Sequence, residues 1–321
     1  MKTLPHSNLR FSRREFINLA SGACAGAVTL RMSASRARAA QGSYRGPFCL
    51  FSKPLPEMDW RRLAQSAKRV GFDGIDLTVR PEGHVLPEKA AADLPRAVAA
   101  IRAEGLEVPM ITTALVSADD RTARPILSTA SKLRIPYFKA GYYLYKLEDV
   151  RRELAEAGEQ FRGLAALAGE YGIQLGYHNH EEYIGAPVWD MASVIGPLDP
   201  KWVGFYFDPR HAVAEGGVGA WKIATNLVLP RLKMIAVKDF YWEKTARGWR
   251  DVNCPLGQGM VDWKYLFKTV AQASFQGPIS LHIEYEVPGK TRAAHEENIL
   301  ATAQRDLEFL KARVREAYGV A

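Results

Sequence analysis

Val70-Gly71-Phe72-Asp73-Gly74-Ile75-Asp76-Leu77-Thr78-Val79 is the stretch that decides the fold. A segment of helical period, Asp59 to Val70, stops at Gly71, the residue type that closes helices in left-handed backbone. Three residues later a short apolar run rich in β-formers begins at Gly74. The same step recurs along the chain, with Gly105 and Gly172 also standing just ahead of an apolar run. Eight such runs can be read: Phe48 to Ser52, Gly74 to Val79, Val108 to Ala114, Tyr137 to Gly141, Gln174 to His178, Val203 to Phe207, Met234 to Lys238 and Ile279 to Glu284. Helical segments lie between them, at Asp59 to Val70, Glu88 to Ala103, Arg121 to Leu133, Glu148 to Tyr171 and Asp262 to Ala273, and Thr291 to Val314 closes the chain.

Strands alternating with helices predict a parallel sheet covered by helices. A doubly wound open sheet alternates in the same way, but no G-x-G-x-x-G follows the first strand. Eight units over about 280 residues have the size of a (β/α)8 barrel, a TIM barrel, and that is the fold the sequence predicts. No linker, fixed-period repeat or low-complexity segment divides it, so one domain is expected over residues 40–321, with no nucleotide cofactor.

The chain has 321 residues, 47% hydrophobic and 24% charged, enough for a substantial core, and a formal charge of +8. That charge is unevenly placed. Residues 1–39 carry Lys2, Arg10, Arg13, Arg14, Arg31, Arg36 and Arg38 against Glu15, leaving about +2 for the remainder. A basic nucleic-acid surface is therefore not expected. The same N-terminal segment reads as an address, Ser12-Arg13-Arg14-Glu15-Phe16-Ile17 followed by the mildly apolar Asn18 to Leu30 and by Ala37-Arg38-Ala39. This order predicts a twin-arginine signal peptide over 1–39, handled by the Tat export machinery, and a periplasmic or secreted mature protein. The apolar run is too short and too rich in Gly and Ala to span a bilayer stably. Ser21 stands where a lipoprotein box has Leu, which argues against lipidation of Cys24. Cys49 and Cys254 make no metal motif and read as buried free thiols, although an oxidising compartment would allow them to pair.

In barrels of this kind the active site lies at the C-terminal ends of the strands, so polar residues there are the candidates. The second strand runs into Arg80-Pro81-Glu82-Gly83-His84, and the fourth contains Lys139. The fifth ends in His178-Asn179-His180-Glu181-Glu182, and the sixth in Asp208-Pro209-Arg210-His211. The seventh ends in Lys238-Asp239, and the eighth carries His282, Glu284 and Glu286 at alternate positions, on one face. A single histidine at a strand end is more often a hydrogen-bonded structural residue than a ligand, and Glu286 reads equally as a solvated loop charge. Six strands pointing ionisable groups at one rim is harder to explain structurally, because burying them costs several kcal/mol unless they are paired or bound.

Several segments in order look like the sugar phosphate isomerase/epimerase barrels, a xylose isomerase-like family. They are Gly71-Phe72-Asp73-Gly74-Ile75-Asp76-Leu77, Asp208-x-x-His211, Val237-Lys238-Asp239, Gly257-x-Gly259-x-Val261-Asp262-Trp263 and Gly277-Pro278-Ile279-Ser280. The resemblance spans about residues 47 to 310. It implies proton transfer at a sugar carbon, assisted in many members by a divalent ion held by Glu, Asp, His and Glu. Here Asp208 matches the Asp and His211 the substrate-facing His, but His178 stands at the first Glu, Ala236 at the metal His and His282 at the last Glu, with Glu284 two residues on.

The resemblance thus implies an isomerase or epimerase acting on a sugar or cyclitol, with His178, His282, Glu284 and Lys238 as candidate catalytic groups. Arg80, His84, Lys139, His180, Glu181 and His211 are the candidate substrate-binding residues, and Trp189, Trp202 and Trp242 candidate stacking surfaces. A metal ion would fall to His178, Asp208 and His282, a mixed nitrogen and oxygen set suited to Mn, Co, Zn or Fe. A lyase or hydratase acting on a keto-sugar or keto-glycoside is the second reading, and a carbohydrate-binding barrel with a degenerate metal site the third. An endonuclease would need the full metal cluster and a basic groove. A homo-oligomer is compatible with all of these.

Overall fold

The computed structural model describes residues 43–319. The signal peptide expected over 1–39 lies outside the described residues. Eight parallel strands close a barrel: β1 (Phe48–Phe51), β2 (Gly74–Val79), β3 (Glu107–Thr113), β4 (Tyr137–Lys139), β5 (Gln174–His178), β6 (Val203–Phe207), β7 (Leu232–Val237) and, closing onto β1, β10 (Ile279–Leu281). Around them lie α1 (Trp60–Val70), α2 (Ala90–Ala103), α3 (Ala123–Lys132), α4 (Val150–Tyr171), α5 (Trp189–Ile195), α6 (Pro209–Val228), α7 (Trp263–Gln272) and α8 (Arg292–Tyr318).

The deciding stretch behaves as its residue types require. Asp59 caps α1 by accepting from the Arg62 amide at 2.9 Å, and Gly71 closes it at φ 102°, where a Cβ would be strained. All of β2 is buried, because one face looks into the barrel and the other under the helices. Around the closure the register puts Cys49 beside Gly74 and Ser280, and Ala236 beside Ser280, while β2–β3 and β6–β7 each carry one register shift.

Two features differ from the expectation. The last strand ends at Leu281, so His282 and Glu284 stand in the loop beyond it. An antiparallel hairpin, β8 (Asp239–Thr245) with β9 (Gly248–Cys254), rises from the end of β7. It is tied down at its base. Asp239 accepts from the amides of Gly257, Gly259 and Val261 at 3.0–3.2 Å and from the Trp263 indole at 2.9 Å. A side chain at Gly259 would collide with the Asp239 carboxylate. The Gly257-x-Gly259-x-Val261-Asp262-Trp263 motif is therefore a cradle for one buried carboxylate, which burial pushes above the ordinary aspartate range.

Cys49 and Cys254 are buried and unpaired. No helix among the described residues is long and apolar enough to cross a membrane.

Candidate active site

All eight barrel strands deliver a side chain to one polar pocket at their C-terminal ends. Phe51 and Lys53 come from the end of β1, Arg80 follows β2, Thr112 lies on β3, and Lys139 and Tyr142 come from β4 and its loop. His178 ends β5 and His180 follows it, Tyr206 lies on β6, Lys238 follows β7, and His282 and Glu284 stand in the loop after β10.

Asp208 organises one side. It is fully buried, caps α6 by accepting from the Arg210 and His211 amides through Oδ1, and presents Oδ2 to the barrel mouth. There Oδ2 lies 3.0 Å from His178 Nε2, 3.3 Å from Lys238 Nζ and 3.7 Å from His211 Nε2. Lys238 also bonds Glu284 at 2.6 Å, and Glu284 reaches Lys53 at 3.1 Å. Burial works against the Lys238 ammonium, but Glu284 and Asp208 outweigh it and hold its pKa above the usual lysine value. Burial likewise works against ionising Glu284, and the ammonium groups of Lys238, foremost, and Lys53 reverse that, so Glu284 sits well below the usual carboxylate range. Both groups are charged at neutral pH.

The histidines are neutral. Burial, seconded by nearby ammonium groups, pushes His178 and His211 well below the ordinary imidazole value, and burial also depresses His180 and His282. Their hydrogen bonds then fix which nitrogen is bare. His178 has both nitrogens engaged, Nε2 with Asp208 and Nδ1 with the Tyr142 hydroxyl at 2.9 Å. His180 Nδ1 lies 2.9 Å from the Glu181 carbonyl, which can only accept, so Nδ1 carries the proton and Nε2 is bare.

At His282 the chain of partners is longer. Asp76, inside the barrel below the pocket, accepts hydroxyl hydrogens from Thr112 at 2.7 Å, Ser280 at 2.9 Å and Tyr206 at 3.1 Å. With its hydrogen on Asp76, the Tyr206 oxygen accepts from His282 Nε2 at 2.9 Å. His282 Nδ1 is left with no partner, and the ring stacks on Phe51 at 4.1 Å. Burial pushes the Asp76 carboxyl up to about 6, so at neutral pH it remains an acceptor.

Other candidates take different places. His84 does not line the pocket; it props the loop after β2 through Thr78, its ring 3.2 Å and its amide 3.0 Å from that hydroxyl. Glu181 pairs with Arg210, a fully buried guanidinium that also holds Asp251 and Asn253 of the hairpin. His211 sits behind His180, its ring 3.8 Å away. Glu286 is a solvated loop charge, and Trp189, Trp202 and Trp242 lie outside the pocket.

Among the described residues, the group spaced to hold a metal ion is His178, Asp208 and His211, with His282 Nε2 taken by Tyr206 instead. The set fits a cation in donor type and spacing, and His211 Nε2 is a buried nitrogen without a partner. The Lys238 ammonium and His178 Nε2 both hold the Asp208 oxygen, so a metal would have to push Lys238 aside and take the place of the His178 Nε2 hydrogen. Ala236, where the resemblance places a ligand, is packed inside the barrel with Met110, Tyr206 and Met234 and supplies none.

Phe51, Lys53, Thr112, Tyr142, Tyr206 and the underlying Asp76 escaped the sequence reading. Asp76 had a usable signal, a carboxylate inside an otherwise apolar strand. The aromatic residues had none, since Tyr206 in Val203-Gly204-Phe205-Tyr206-Phe207 looks like core.

Comparison with known proteins agrees with this architecture. The chain is 26% identical over 170 residues to an inosose dehydratase from Clostridium perfringens, a match covering 50% of this chain and 55% of that protein, so it spans about half the length of this relative. Its fold resembles a xylose isomerase-like TIM barrel protein from Mycobacterium smegmatis in complex with magnesium (18% identity, TM-score 0.66, 86% of this chain and 98% of that one). It also resembles D-psicose 3-epimerase with D-tagatose from Clostridium cellulolyticum H10 (12% identity, TM-score 0.63, 84% and 99%). The family described as Xylose isomerase-like TIM barrel matches residues 64–313, and the chain belongs to it.

Proposed function

We propose that this barrel is an isomerase or epimerase that moves a proton at a carbon beside the carbonyl of a sugar or cyclitol. One observation carries the reading. Two neutral imidazoles, His180 and His282, each have one nitrogen pinned and the other bare, and they face one pocket from strands three places apart in the ring. Inverting or shifting a C–H centre needs a proton acceptor on one side and a donor on another. Both bare nitrogens accept as they stand, and either becomes the donor once it has taken up a proton, so the pair can fill both roles.

In this reading His282 Nδ1 takes the proton, while Tyr206 and Asp76 hold the ring in the right tautomer and stabilise its cation. Lys238 faces the carbonyl oxygen and offsets the charge that develops there. For inversion, His180 Nε2 takes a proton from solvent water and delivers it to the carbon from its side, while His282 gives up its own to solvent. A divalent ion held by His178, Asp208 and His211 would add Lewis-acid polarisation of substrate oxygens. The open space among the lining residues is about 60 Å³, room for about two waters, so a sugar must displace the long, half-exposed side chain of Lys53 at the rim.

Elimination is the second reading. It is favoured by the partial match to an inosose dehydratase. We place the enzyme outside the cytoplasm on the strength of the twin-arginine segment, which fractionation of tagged full-length protein would check.

The function test is incubation of the purified protein with a panel of keto-sugars and cyclitol ketones in deuterated water. Deuterium gained at a carbon beside the carbonyl with no loss of mass as water supports isomerisation, and loss of water or an aglycone supports the lyase. Exchange that persists in both His282→Gln and His180→Gln would sink the two-base assignment.

A further inference from the structure

Arg80 and Lys139 both line the pocket, and among the described residues neither has a carboxylate within 4.0 Å, although the other pocket cations do. Lys139 is 3% exposed, and its ammonium lies 3.4 Å over the Tyr142 ring, which offers a modest cation–π attraction and no hydrogen bond. Arg80 Nε is buried with no partner at all. The two are near enough that Arg80, after burial itself, is the largest influence depressing the Lys139 pKa. Asp76, the counter-charge that acts most on Lys139, already accepts three hydroxyl hydrogens.

Charging both groups without an anion is expensive in a site shielded from water, which is what depresses the Lys139 pKa, and an anion bound between them would favour its ammonium form. The loop nevertheless fixes Arg80 there. Its amide donates to the Val85 carbonyl at 3.1 Å and its carbonyl accepts from Gly83 at 2.9 Å, while His84 braces the same turn on Thr78. A hydroxyl or neutral carbonyl would leave most of that charge uncompensated. A carboxylate or phosphate would neutralise it and take up the orphaned Arg80 donor in charge-assisted bonds.

We infer that Arg80 and Lys139 form an anion receptor, so that the substrate is an acidic sugar or polyol, carrying a carboxylate or a phosphate group, rather than a neutral one. This rests on the proposed function only in naming the pocket as the substrate site. The anion would sit over β2 and β4, leaving the reacting carbon to reach Lys238, His180 and His282 on the far side.

The test is calorimetric titration of the full chain with inorganic phosphate, with D-glucuronate and with D-glucose, for wild type, Arg80→Gln, Lys139→Met and the surface control Lys264→Gln. We expect saturable binding of at least one anion, none of D-glucose, and a loss of about tenfold or more in either pocket variant, the effect of one charge-assisted hydrogen bond. Which of the two anions binds more tightly separates phosphate from carboxylate recognition. Arg80 lies at the rim, so its variant remains informative should Lys139→Met fail to fold. No binding of either anion at millimolar concentration, or binding unchanged in both pocket variants, overturns the inference. So does a borohydride-trapped adduct of dihydroxyacetone on Lys139, which would make that residue an imine-forming amine. None of these readouts involves turnover, so the isomerase assignment can fail while the anion receptor stands, and the reverse.

Discussion

Around β5, β6, β7 and β10 the charged side chains at the mouth are matched: Lys238 with Asp208 and Glu284, and Arg210 with Glu181 and Asp251. Above β2 and β4, Arg80 and Lys139 have no such partner within 4.0 Å among the described residues. The contrast separates two kinds of work. A charge network closed on itself holds side chains at fixed distances and fixed protonation, which suits groups that move protons. An open one is costly to the empty protein and recovers that cost only when a ligand completes it.

The comparison can be broken from either side. The largest effect belongs to the proton-moving half: His282→Gln should lower kcat by roughly 10²–10⁴-fold, the usual contribution of a positioned base, with the fold retained by circular dichroism. A loss under about tenfold would move the base elsewhere. Next, Lys238→Met leaves Asp208 and Glu284 facing each other with their shared cation gone. Removing one partner of a buried pair costs about 3–5 kcal/mol, to be read as a lower denaturant midpoint. An unchanged midpoint would mean that the network is not closed as described.

A smaller effect comes from Asp76. Its carboxyl is pushed from the ordinary 3.8 up to about 6, so between those values the native chain holds a proton that the unfolded chain has lost. On its account stability rises as pH falls through that window, and a contribution of about 3 kcal/mol separates the two ends. Asp76→Asn removes this slope, so the wild type should gain on the variant in melting temperature as pH is lowered from about 7 to about 5. Parallel curves would show that Asp76 does not titrate there. At the small end, Arg124→Ala breaks an exposed pair with Glu170 far from the mouth and should change stability by no more than about 0.5 kcal/mol.

The barrel was legible because its period is written in residues that cannot easily do otherwise, as at Gly71 and the buried run behind it. All eight strands were located to within a few residues. The hairpin from Asp239 to Cys254 was not, because Tyr241, Trp242 and Trp249 are partly solvent-exposed and carry no clean alternation of buried and polar positions. The site was legible as a set of strand ends but not as roles. His178 stood out through its neighbours in the motif, yet both its nitrogens are spent, while His180, expected to bind substrate, retains a bare one. Tautomers depend on partners distant in sequence, Asp76 and Tyr206 being 130 residues apart, and no local pattern encodes them.

The claim that two oppositely pinned neutral imidazoles replace a pair of carboxylates can be tested without a substrate. Nitrogen-15 NMR of histidine-labelled protein near neutral pH, with His180→Gln and His282→Gln to assign the signals, reports which nitrogen of each ring carries the proton. The structure requires His180 to be protonated at Nδ1 and His282 at Nε2, with the His282 pattern lost in Tyr206→Phe. Finding His282 protonated at Nδ1, or either ring doubly protonated, would contradict the account.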